Sequence, residues 1–372
     1  MSTLINEFLP IGLDRKRVGG LMAGRQLDGI LLTSPENVFY VTGYTTLPTA
    51  GNPILYLLRN RFPFAAFIDA SGATTLFCWL FSTFGVELGV DEVIGSTDYA
   101  SAVEKLAAFL KQREGKRIGI ESTCPYYVSQ LLGSSSIVVA DDVMVRARTI
   151  KSEAEIDHLA RSLAAAEATM HDLYQVLRVG IGRVQLISEA KAHLFGHGAT
   201  GIGHATISFG TANPELAIDE KLELDHLITL DIGAVHEGYA SDTRRYAFSG
   251  KPPTELIDHY LRMVEVVDEV GAAITPGATY ADVFRRGRDL LTEVAGNPPA
   301  WLTHVGHHIG LETEEEWIVD RDDIEIQPGM VINIELYSQA STGDYIGDEE
   351  TFVVDSRGST RISQLPREIQ AL

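Results

Sequence analysis

The spacing of apolar and polar residues changes character part-way along the chain. Up to residue 149, short apolar runs rich in β-branched and aromatic residues predict strands: GILLTS (29–34), VFYVTGY (38–44), FAAFID (64–69), TTLFCWLF (74–81) and RIGIE (117–121). Val103, Leu106, Ala107 and Leu110 recur at helical spacing over 99–112, and 126–132 reads as a short helix. Strands alternating with helices predict an α/β domain over 1–149. Beyond it, Ser152-Glu153-Ala154-Glu155 forms a capping box. Ile156, Leu159, Leu163, Ala166, Met170, Leu173 and Leu177 then trace one face of a long helix that stops before Gly180. Helices at 185–195, 254–273 and 280–295 follow, with strands at 205–209, 227–232, 239–248, 330–337 and 351–355. Clustered strands and helices predict an α+β domain over 150–372.

A length of 372 residues suits two domains, and 45% apolar with 22% charged residues is a globular composition. The net charge of −21 argues against nucleic-acid binding and against docking on anionic membranes. The uncharged run 70–86 is interrupted by Ser71, Gly72, Ser82, Thr83 and Gly85 and reads as sheet core rather than a membrane span. Two cysteines, Cys78 and Cys124, make no disulfide framework. The lack of a disulfide framework makes a reducing cytoplasm the expected location, and the opening MSTLINEFLP does not read as a signal peptide.

The chemistry lies in the second half. Asp231 and Asp242 are eleven residues apart in LDIGAVHEGYASDTRR, where Gly233 and Gly238 bracket a reversal that can bring the two carboxylates side by side. Paired carboxylates repel unless a cation lies between them, although a surface hairpin with two aspartates reads equally well. THVGHHIGLETEEEW carries His304, His307 and His308 ahead of a glutamate run. Glu335 ends the strand of QPGMVINIELY, and Asp348, Glu349 and Glu350 enter the strand of YIGDEETFVVD. Each cluster alone also reads as ordinary surface. In order they supply two aspartates, a histidine and two glutamates, an oxygen-rich set with one nitrogen that suits Mn, Co, Fe or Zn.

This set resembles the pita-bread metallohydrolases, which include methionine aminopeptidase, prolidase, aminopeptidase P and creatinase. The family pattern of DxG, SD-x-[ST]-R, GHGIG, a glutamate after PGM and ED-[ST] reads here as Asp231-Ile232-Gly233, Ser241-Asp242-Thr243-Arg244-Arg245, Gly306-His307-His308-Ile309-Gly310, Glu335 after Pro328-Gly329-Met330, and Glu349-Glu350-Thr351. LDGILLTSPENVFYVTGY and RTIKSEAEI resemble the smaller N-terminal domain and the interdomain link of prolidase and creatinase. The resemblance implies a pita-bread catalytic domain at 150–372 behind a creatinase-type domain at 1–149, and a homodimer. It implies two divalent metal ions, with Asp231 chelating one, Asp242 and Glu349 bridging both, His307 on the second, and Glu335 as ligand and general base.

Three departures from the family stand out. The slot for a substrate-facing histidine, counted from Asn213, holds Ile218; the histidine of the HE pair is Glu314, followed by Glu315; and Leu336 replaces a proline. His204 and His308 are candidate replacement donors, with His304 and Glu314 at the substrate edge, while a strand histidine without a role is an equal reading of His204. The resemblance implies an Xaa-Pro peptidase cleaving a small amide or dipeptide. A lyase or hydrolase acting on a small zwitterion, similar to a dimethylsulfoniopropionate lyase, is the alternative, and a non-catalytic binding module is the third reading. Glu314 facing the site would disfavour anionic groups and favour a positive or neutral substrate head.

Overall fold

The computed structural model describes residues 6–59, 61–210, 218–297 and 303–372. The chain divides into two compact units, Met1–Arg148 and Thr149–Leu372. No helix among the described residues is long and apolar enough to cross a membrane.

The first unit is built on a six-stranded mixed sheet. Its strands run in the order Glu92–Ser96, Thr74–Trp79, Ala65–Asp69, Gly29–Leu32, Arg117–Ile120 and Ser136–Val139. Leu31, Phe67 and Phe77 on the sheet pack with Leu106, Phe109 and Leu110 of the helix Tyr99–Lys111. VFYVTGY is not a strand. Its residues lie mainly in the helix Pro35–Thr42, which Ser34 caps and Pro35 opens, and Gly43 ends it in a left-handed conformation at φ +70°. These start and stop signals outweigh the β-propensity of the aromatic and branched residues between them.

The second unit carries two five-stranded sheets. In the first, Leu227–His236 pairs with Gly201–Phe209, Tyr239–Ala240 and Arg244–Phe248, and Ile369–Ala371 adds at the edge. The second runs Glu316–Trp317, Gly306–His308, Val331–Gln339, Tyr345–Asp355, Gly358–Arg361. The helix Glu153–Val176 begins with the capping box of Ser152 and Glu155. With the helix Arg183–Gly196 it buries Met170, Leu173, Leu186 and Leu194 against Ile207, Ile228 and Leu230 of the first sheet. The helices Thr254–Ala273 and Tyr280–Ala295 bury Met263, Val267, Val270 and Leu291 against Ile332, Ile334 and Phe352 of the second.

Two differences from the predicted strands bear on the site. The predicted strand 239–248 is interrupted at residues 241–243, where Ile232 N–H donates to the Thr243 carbonyl and Ala234 N–H donates to Ser241 Oγ. The last long strand starts at Tyr345, ahead of the predicted 351, and so draws Asp348, Glu349 and Glu350 into the interior. Arg245 and Arg367 pair with Glu350 and Asp348 at 2.8 and 3.0 Å, which makes burial of these acids tolerable.

Candidate metal centre

Register explains why the acidic residues converge. Glu237 and Gly238, both at positive φ, form the tight turn of a hairpin that pairs His236 with Tyr239. The same register sets Arg244 directly opposite Asp231. Directly paired residues share a face of the sheet, so Asp231 and Arg244 look the same way, and Asp242, in the break before Arg244, reaches the same spot, with Oδ1 3.2 Å from His204 Nε2. Gly233 is required here: a Cβ at that position would stand 2.5 Å from the His204 ring on the neighbouring strand.

The second sheet supplies the other wall. Glu335 pairs with Glu349, and Asn333 pairs with both His307 and Thr351. Asn333 donates to Glu349 Oε1 at 2.7 Å, and Thr351 Oγ1 donates to Asn333 Oδ1 at 3.2 Å, which fixes the glutamate. Gly306, at φ +154°, lets His307 approach: a Cβ there would meet the Asn333 carbonyl at 2.1 Å.

Asp242, His307 and Glu349 place donor atoms within 4.8 Å of one another. His307 Nε2 lies 3.6 Å from Asp242 Oδ2, and its Nδ1 is 3.3 Å from the His308 carbonyl, an acceptor that holds the proton on Nδ1 and leaves the Nε2 lone pair pointing inward. His307 Nε2 and Glu349 Oε2 are buried without a hydrogen-bond partner. An orphaned buried lone pair is costly, and a divalent cation bound by one imidazole and carboxylates removes that cost. These residues fit a divalent metal.

The Asp231 side of the site is arranged differently. His204 Nε2 lies 2.9 Å from Asp231 Oδ1 and 3.2 Å from Asp242 Oδ1. Arg244 reaches Asp231 Oδ2 with Nη2 at 2.6 Å and Nε at 3.2 Å, and stands 3.8 Å from both Glu335 and Glu349. Burial pushes Asp231 up, but Arg244 and His204 outweigh it and hold its carboxyl below the usual range. Burial raises Glu335, with Arg244 and His307 opposing, and raises Glu349 further, with Asp242 adding to the effect.

Of the other predicted site residues, His304 lies near enough to His307 for their charges to interact, whereas His308 does not join the cluster. His308 follows His307 on the strand and therefore faces the opposite side, where its Nε2 hydrogen-bonds the Tyr280 hydroxyl; burial, reinforced by Lys151, pushes its pKa down to about 3. The structure does not bring it to the acidic cluster, which corrects its selection as a catalytic donor. Glu314 is exposed and accepts from Trp317 Nε1 at 2.7 Å, and His304 stacks on that indole with ring centroids 5.1 Å apart. Glu315, beside Glu314, is instead buried against Lys151 at 2.6 Å. Ile218 is exposed, and Asn213 lies outside the described residues. Sequence reasoning passed over Arg244, although the signal was present: an arginine stands where SD-x-[ST]-R has serine or threonine.

The profile of metallopeptidase family M24 matches residues 157–362, more than half of the chain. The chain belongs to metallopeptidase family M24. The creatinase/prolidase N-terminal domain profile matches residues 15–150 ahead of the M24 domain, giving the creatinase-type and pita-bread halves that the sequence pattern implies. Among M24 relatives, an Xaa-Pro dipeptidase of Pyrococcus horikoshii is 26% identical over 95% of this chain and 97% of its own. A probable dipeptidase PepE of Mycobacterium tuberculosis is 28% identical over 62% of this chain and 63% of its own. The crystal structure of the prolidase from Pyrococcus horikoshii OT3 has the same fold, with a TM-score of 0.79 at 22% identity, covering 95% of this chain and 99% of that one.

Proposed function

We propose that this M24 protein is a metal-dependent hydrolase of the Xaa-Pro dipeptidase type, acting on a dipeptide or another small amide. The observation that carries this reading is the buried group of Asp242, His307 and Glu349, in which His307 Nε2 and Glu349 Oε2 have no hydrogen-bond partner, beside Glu335. Asp242, His307 and Glu349 would hold the metal, with Glu335 at its edge. A divalent ion there supplies Lewis acidity, lowering the pKa of a water and polarising the amide carbonyl.

Glu335 is the residue placed to move the proton. Its side chain keeps slight solvent access, whereas Glu349 is sealed and tied to Asn333. Burial raises its carboxylate above the usual range, the direction that makes a stronger general base. His204 spans Asp231 and Asp242 with Nε2, and its place beside the acidic cluster supports it as the candidate replacement donor. Mn, Co, Fe or Zn suits the donor set. The likeness to prolidases supports a homodimer working in the cytoplasm, and a molar mass from light scattering checks the dimer.

A second reading rests on the two family histidine slots. Ile218 and Glu314 are both exposed and offer no imidazole, which leaves room for chemistry on a small zwitterion. A panel of Xaa-Pro dipeptides and zwitterionic small molecules, assayed with Mn²⁺, separates the two. Dipeptide cleavage that falls roughly 10²–10⁴-fold in Glu335→Gln is expected. No cleavage of any dipeptide by wild type overturns the peptidase reading.

A further inference from the structure

We infer that the Arg244 guanidinium stands in place of one of two cations, so that the centre holds a single divalent ion, bound at Asp242, His307 and Glu349. This rests on the metal dependence in the proposed function, though not on its substrate.

Three observations carry it. Both oxygens of Asp231 are engaged, Oδ1 with His204 and Oδ2 with Arg244; His204, Asp231 and Asp242 do form a second group of donor atoms within 4.8 Å of one another, but the Arg244 guanidinium, 2.6 Å from Asp231 Oδ2, sets a fixed positive charge against an ion there. Asp242, His307 and Glu349 behave oppositely: two of their donor atoms are buried with no hydrogen-bond partner. Finally, Arg244 is not a surface arginine that has swung inward. Its backbone is the ladder partner of Asp231, which directs the side chain onto the same face. Its guanidinium also lies over the Tyr337 ring at 5.3 Å from the centroid. A fixed positive charge within 3.8 Å of Glu335 and Glu349 does part of the neutralising work that a second ion would do, and it repels that ion.

The difference between one and two ions is chemical. A single ion polarises the substrate or activates the water from one side, while the guanidinium supplies a hydrogen-bonding cation that cannot dissociate. Chelators would then remove only one equivalent, and Asp231 would act as the anchor of Arg244 rather than as a ligand.

The test is metal counting on the intact protein, reconstituted with Mn²⁺ and freed of excess, by elemental mass spectrometry together with electron paramagnetic resonance. Wild type should hold one Mn²⁺ per chain with the six-line spectrum of an isolated ion. Arg244→Thr should rise to two, with the broadened spectrum of an exchange-coupled pair. Asp231→Asn should still hold one, which keeps the inference testable should Arg244→Thr fold poorly. Two ions in wild type, none at all, or loss of the ion in a folded Asp231→Asn would each overturn it. One ion without dipeptide cleavage would sink the proposed substrate and leave this inference standing; two ions with cleavage would do the reverse.

Discussion

His308 should make the protein acid-sensitive in a way that one substitution can isolate. Its side chain is fully buried beside Tyr280, and burial with the Lys151 charge holds its pKa at about 3. In the unfolded chain it titrates near about 6.5. Between these values the unfolded chain carries a proton that the folded chain refuses, so stability is fully present above about pH 7 and is lost as pH falls. At pH 5 the unfolded imidazole lies about 1.5 pH units below its pKa, a loss of about 2 kcal/mol. Other groups titrate over the same range, so the diagnostic quantity is the stability gap between wild type and His308→Gln, measured by urea unfolding with chelator present. The variant should be less stable at pH 7.5, because Tyr280 loses its partner, and the gap should close by about 2 kcal/mol at pH 5. A gap that stays constant across this range would show that His308 is not held neutral and would refute the reasoning.

Lys151 and Glu315 form a buried pair with each side chain at most 2% exposed, so Lys151→Met should cost about 3–5 kcal/mol in chemical denaturation by stranding the carboxylate, and adding Glu315→Leu should recover most of that loss. Gly306→Ala should destabilise by roughly 3 kcal/mol, read as a lowered Tm, because its φ of +154° and the nearby Asn333 carbonyl leave no place for a methyl group.

Much of the second unit was legible because its signals are local. The helices Thr254–Ala273 and Tyr280–Ala295 follow from apolar spacing alone, and the long helix announces itself with Ser152 and Glu155. The hairpin bringing Asp231 toward Asp242 follows from glycine at the turn. The helix Pro35–Thr42 was misread because β-branched and aromatic residues were weighed ahead of Ser34, Pro35 and Gly43. His308 was misplaced for a different reason: adjacent residues on a strand face opposite sides, so being next to His307 argues against sharing its site. Glu314 and Glu315 look interchangeable in sequence, yet one reaches solvent and the other is locked to Lys151. That distinction depends on long-range packing. Arg244 was visible as a departure from the motif, but its meaning needed the register that sets it against Asp231.

The donors of the centre come from two different sheets: Asp242 follows the hairpin of one, while His307 and Glu349 lie on strands of the other. An ion bound between them is a removable cross-link. Its binding free energy adds directly to folding stability, by about 2.7 kcal/mol when free metal stands at a hundred times Kd. On the proposed site, copies without the ion would open more often at this seam than loaded ones, and opened chains are what cellular proteases degrade. If the ion binds as proposed, metal supply would bear on how long each copy survives as well as on whether it can turn over substrate.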